Sequence, residues 1–302
     1  MVSVSDLVEE LWREQSLWSR TANRMRKHIN RARVAALVAA VTAAVLGAAA
    51  GAVMSYSASW AAGAGRVLAV LAGLGVGVLP LLRPYWSGDR LRDWTRVRSI
   101  SEALKSDVYL WLARAGEYRG DDQAARLREE TDKVRADGAD LLRYREGIVA
   151  EERPLPAVHD LASFFAVRVI GQVDGYYRRR ARELQRLLRR FRGAGIALGA
   201  VGVVVGAVAA VSSASSLGPW IAVITTVSTA LAVHVAAGRY DFQLIEFLRT
   251  AERLDQLRRK AVSTADLSEL GALAAEAEAV ISVENEGWMA KLAEEPAKQK
   301  AS

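Results

Sequence analysis

Four uncharged, helix-length apolar runs, arranged as two pairs, constrain this chain more than any other feature. Residues 34–54 carry no charged side chain across 21 positions, and a second run at 67–82 follows a turn of small residues. The pattern returns at 193–211 and 221–238. At about 1.5 Å of rise per residue, 21 helical residues reach roughly 32 Å, close to the ~30 Å hydrocarbon core of a bilayer. The expectation is an all-α membrane protein of two tandem modules. Each module is a two-span helical hairpin with long cytoplasmic amphipathic helices, and the spans fall at about 34–54, 62–82, 193–211 and 219–238.

A net charge of +7 and a pI near 9.8 would ordinarily raise nucleic acid as a partner. The positions of the charges argue against it. Arg20, Arg24, Arg26, Lys27, Arg31 and Arg33 abut the first run, and Arg83, Arg90, Arg92, Arg96 and Arg98 follow the second. Eight arginines between 178 and 192 precede the third, and Arg239 follows the fourth. Twenty of the 41 basic residues thus gather at one side of the hairpins, while the turns at 55–65 and 212–220 carry no charge. Positive-inside bias places both termini and both hairpin bases in the cytoplasm of a bacterial inner membrane, with the turns outside. Arg66 is the single dissenter, near an outer end where a long side chain can snorkel. The basic collars fit anionic lipid, not nucleic acid. Arginine outnumbers lysine 34 to 7, which suggests a GC-rich bacterial genome. The chain has no cysteine, so thiol chemistry is excluded.

The sharpest internal boundary is 151–156, where Pro154 and Pro156 stop any helix from running through. It divides a first module at 1–150 from a second at 157–293, with a disordered polar tail at 294–302. Each side repeats one order: amphipathic helix, span, turn, span, long helix. Aligning Arg33 with Arg192 lays Trp18 over Tyr177, which suggests an old duplication or a fusion of two related modules. The polar segments show helical periodicity throughout. Leu7, Leu11, Trp18, Ala22, Met25 and Ile29 share one face, and Leu104, Val108, Trp111, Ala115 and Tyr118 step by four and three. Leu244, Phe247, Ala251 and Leu254 would carry the fourth span's helix onward.

Inside the spans, glycines recur at helical spacing. Gly195, Gly199, Gly202 and Gly206 form one ridge, Gly47 and Gly51 extend an alanine ridge on the first span, and Gly73 and Gly77 a short one on the second. Helices in lipid gain no hydrophobic benefit from meeting, so backbone approach across small residues holds them together. These ridges are candidates for packing within the bundle, for a homo-oligomer interface, or for the lining of a narrow pore. His234 is the one ionisable side chain within the last run and a candidate for gating. No acidic or basic residue lies mid-span, which disfavours a proton-coupled transporter or a voltage sensor. The glycine-rich start of the third run follows no strand, so it is not a dinucleotide fingerprint. His28, His159 and His234 lack ligand-spaced partners. No nucleophile stands with a base. We expect no enzyme, no metal and no cofactor.

The segment WTRVRSISEALKSDVYL at 94–110, with Trp94, Glu102 and Lys105, resembles the SLATT superfamily of two-transmembrane effectors tied to bacterial nucleotide signalling. The second half resembles another branch, through RVIGQVDGYY at 168–177, with Arg168, Gln172 and Tyr176, and ENEGW at 284–288, ending on Trp288. The resemblance implies a tandem SLATT protein acting as a pore-forming or membrane-perturbing effector in anti-phage defence, triggered by a separate nucleotide-signal sensor. Spaced four apart, Arg168, Gln172 and Tyr176 would hydrogen-bond between cytoplasmic helices. The competing expectation is a non-conducting membrane scaffold whose cytoplasmic helices recruit a protein partner.

Overall fold

The computed structural model describes residues 4–86, 88–212 and 217–298, with side chains described at 5–86, 88–211 and 217–282. Among these residues the fold is entirely helical, without a strand. The elements are α1 (Val4–Met54), α2 (Ala61–Leu82), α3 (Gly88–Ala113), α4 (Gln123–Asp137), α5 (Leu161–Phe164), α6 (Ile170–Gln172), α7 (Arg178–Ser212), α8 (Gly218–Gly238), α9 (Tyr240–Ser263) and α10 (Leu267–Lys298). Four of these runs are long and apolar enough to cross a bilayer, and they begin in α1, α2, α5 and α8. This is a multi-pass membrane protein.

Contacts divide the chain into two compact units that cut across the tandem modules. A polar unit gathers 1–27, 88–182 and 243–302, and an apolar unit gathers 28–87 and 183–242. Each module therefore supplies both a hairpin to one unit and helices to the other. Sequence order alone does not reveal that grouping, because a tandem repeat says nothing of which faces the copies share.

In the polar unit, α3 and α10 pack along one another and supply Val97, Leu104, Val108, Ala274 and Ala277 to the core. Trp18 of α1 is buried at 2% exposure, with the Arg145 guanidinium 4.9 Å above its ring. Asp160 caps α5 through a capping box, accepting from the Ser163 backbone N–H at 2.7 Å. Two π-helical turns follow, Phe165–Val169 and Val173–Tyr177, on either side of α6. Their cause is legible in the buried stripe Phe165, Val169, Val173, Tyr177 and Ala181, which steps by four each time. On a 3.6-residue helix that stripe would drift by about 40° per step, roughly 160° in all. Wider i→i+5 turns take up the drift and keep the stripe on one face.

In the apolar unit, small residues make the close contacts. A Cβ on Gly75 would meet Ala43 Cβ at 3.0 Å and the Ala39 carbonyl at 3.5 Å, so α1 and α2 approach backbone to backbone there. Gly47 faces Ala72 at 3.9 Å, and Gly51 faces Pro219 at the same distance.

Three features depart from the periodicity reading. The α3 helix ends at Ala113, short of the expected seam at Ala115 and Tyr118, where Arg114 and Gly116 turn left-handed at φ 52° and 60°. Tyr118 is still buried, now from a 3₁₀ turn. The helix of the fourth span does not continue into α9. Arg239 adopts φ 47°, and the Tyr240 ring occupies the space that a side chain at 238 would need, within 2.8 Å of a Cβ there. Glycine at 238 lets the aromatic fold back and break the helix. Finally, α10 keeps helical backbone to Lys298, whereas composition puts a polar tail from 294, and residues 299–302 lie outside the described residues.

Candidate functional site

A buried charge centre lies in the core of the polar unit, built by both modules. Arg168, on the first π turn, has a side chain only 1% exposed. Its Nε and Nη2 donate to the two carboxylate oxygens of Glu278 on α10, at 2.7 and 2.8 Å. This fork geometry is the strong form of an arginine–carboxylate pair. The guanidinium also sits 4.8 Å above the Tyr109 ring of α3, and its Nη1 is buried with no hydrogen-bond partner. On α3, Glu102 lies 3.8 Å from Arg98 and 3.7 Å from Lys105, with side chains of Glu102 and Lys105 only 17% and 21% exposed.

Burial and neighbours shape the titration of these groups. Burial pushes the Lys105 ammonium down to about 8, against the pull of Glu102. Burial works to raise the Glu102 carboxyl, but Lys105 and Arg98 outweigh it and hold it below the usual carboxylate range. Burial also opposes the charge on Arg168, and Glu278 overcomes it, so the guanidinium stays protonated. One turn along α3, burial raises Asp107 to about 6, although the Tyr118 hydroxyl donates to it at 3.0 Å.

Of the motif residues named from sequence, Arg168, Glu102 and Lys105 meet in this centre. Tyr176 joins its edge, accepting from Arg98 at 3.3 Å and packing its ring 5.8 Å from Phe247. Gln172 is half-buried between them on the helix. Trp94 stands apart, its indole N–H donating to the Ala22 carbonyl at 3.0 Å. Trp288 lies on α10, but its side chain falls outside the described residues. Sequence reasoning missed Glu278, Tyr109 and Asp107. The alternation of Glu276 and Glu278 with alanine held the only hint, since carboxylates two residues apart point to roughly opposite faces of a helix and one of them can face inward.

Beside Glu102, a cavity of about 420 Å³ is lined by Arg96, Ser99, Asp137 and Ser282 among others. Arg96 is already committed there, donating to both Asp140 carboxylate oxygens at 2.6 and 2.8 Å and to the Asp137 carbonyl at 2.7 Å. No cluster among the described residues has metal-ligand character.

The glycine ridges divide. Gly202 packs against Ile224 Cγ2 at 3.3 Å, whereas Gly195, Gly199 and Gly206 on the same helix, and Gly73 and Gly77 on α2, have nothing within 4 Å. His234 stands among rings, 5.7 Å from Phe191 and 6.3 Å from Tyr240.

The family matches follow the tandem order of the sequence. Residues 164–288 match the family model described as SMODS and SLOG-associating 2TM effector domain 1. The second module is thus similar to a SLATT domain over those residues. Residues 16–126 match DUF4231, a family of unknown function, in agreement with a tandem SLATT-type protein. No curated protein and no solved structure matches the chain. Arg168 and Glu278 both fall within the first of these matches, and Glu102, Lys105 and Tyr109 within the DUF4231 match. The charge centre is thus where the two matched segments share one core.

Proposed function

We propose that this protein is a bacterial inner-membrane effector that assembles into a membrane-permeabilising oligomer. Its termini and polar unit lie in the cytoplasm, and a separate sensor of a nucleotide signal triggers it in a defence response. It works without catalysis or cofactor. The family's description as a two-transmembrane effector supports the class of action. The observation that carries the reading is the uneven glycine ridge of α7. Gly202 is used within the chain, while Gly195, Gly199 and Gly206 offer bare backbone to nothing within 4 Å. Such a face suits helix–helix approach between copies.

The charge centre supplies the control. A desolvated ion-pair cluster is costly to break by halves, and it can hold a helical core in one of two packings. A sensor that binds the polar unit need only favour the second packing to release the hairpins for assembly.

Vesicles of defined lipid loaded with a self-quenched dye test this reading. The full chain is expected to release dye, and Gly199→Leu with Gly206→Leu to reduce release at least about tenfold by blocking close approach. Gly202→Leu serves as the control for damage within the chain. Wild-type protein that inserts but releases no dye would replace this reading with the non-conducting scaffold.

A further inference from the structure

We infer that the apolar unit holds a specific binding site for one anionic phospholipid, in the groove that α1, α2 and α8 form. The groove measures about 530 Å³. Its walls are two helical stripes: Arg33, Ala36 and Ala40 on α1, facing Thr225, Thr229 and Val233 on α8. Trp86 and His234 join Arg33 in lining it.

Three observations select the occupant. First, the walls are mostly apolar and suit hydrocarbon. The hydroxyls of Thr225 and Thr226 donate to the carbonyls of Ile221 and Ala222 on their own helix, at 3.0 and 2.8 Å. The methyls of these two threonines are then what they offer the groove, beside alanine and valine. Second, the charge is uncompensated. Arg33 is the one charged residue that lines the groove if His234 is neutral, and its Nε is buried with no hydrogen-bond partner. A guanidinium with a free edge at the start of a span is a receptor for a phosphate oxygen. Third, the dimensions suit a chain. From Thr225 to Ala237 the α8 wall extends roughly 18 Å along the helix axis. A helix of that length, about 10 Å across, would occupy on the order of 1,400 Å³, well over the volume available. One acyl chain lies along such a slot with its phosphate at Arg33 and its tail towards Ala40. Basic pockets between spans recognise lipid headgroups by this combination of charge and slot. The collar arginines attract anionic lipid in general, whereas this site would hold one molecule.

Native mass spectrometry of the full chain in detergent, titrated with phosphatidylglycerol, tests the assignment. One lipid should resist dissociation, and Arg33→Gln should weaken it about tenfold, the worth of one charge-assisted bond. Ala40→Trp, which fills the slot and leaves the charge in place, should displace it as well. Arg31→Gln, which removes an exposed collar arginine outside the groove, should leave it bound. Inorganic phosphate at equal concentration should not compete. Equal loss in Arg31→Gln and Arg33→Gln would overturn the site in favour of general attraction. Retention in Ala40→Trp would overturn the acyl slot, and competition by phosphate would reduce it to a free-anion site. A second copy of the chain in the groove, seen as a dimer that Ala40→Trp abolishes with no lipid bound, would also refute it. The readout is bound lipid, so it stands apart from whether the protein releases dye.

Discussion

Asp107 shows how the polar unit spends stability on charge. Its carboxyl titrates near 6 in the fold against an ordinary 3.8, because burial opposes ionisation. The folded state therefore binds more protons than the unfolded chain between those values, and stability falls as pH rises through that window. Two pKa units correspond to about 3 kcal/mol, and solvent screening at this half-buried group reduces it to roughly 1–2 kcal/mol. Asp107→Asn keeps an acceptor for the Tyr118 hydroxyl and removes the charge. It is expected to match wild type at pH 4 and to exceed it by that amount at pH 7, read from thermal unfolding across pH in detergent. The neighbouring pair behaves differently. Arg168→Met strands Glu278 without a partner and should cost about 3–5 kcal/mol, whereas Arg168→Met with Glu278→Leu should recover most of the loss. Denaturation of the two variants side by side checks this. Failure of the double variant to recover would mean that Arg168 is held by more than Glu278.

The helices divide by what their small residues meet. Gly75→Leu should destabilise the first hairpin by about 1–3 kcal/mol, because the Ala43 side chain and Ala39 backbone leave no room. Gly73→Leu, two positions away with nothing within 4 Å, should stay within about 0.5 kcal/mol. Thermal melting of the pair in detergent checks the contrast. At this scale the sequence was most informative about existence and least about faces. The spans were legible because uncharged runs of bilayer length have no common alternative. The glycine ridges were legible as ridges, but Gly202 and Gly199 look alike in sequence and only Ile224 tells them apart. The break at Arg239 escaped periodicity because it depends on where the Tyr240 ring folds. The π turns were implicit in a step-of-four stripe that no regular helix could keep on one side. Glu278 was hidden for a tertiary reason: its burial is decided by Arg168, 110 residues earlier in the chain.

For the whole molecule, the two modules are tandem in sequence and pooled in space. Hairpins from both form the apolar unit, and helices from both enclose the charge centre, so neither half would complete its polar core alone. This account rests on four spans whose collars share one side. The absence of native cysteine makes that claim directly measurable by labelling intact cells with a membrane-impermeant maleimide. Ser57→Cys and Gly218→Cys, at the two turns, should label from outside. Glu129→Cys, exposed on α4, should label only after the membrane is opened. Labelling of positions 57 and 129 from the same side would contradict the account.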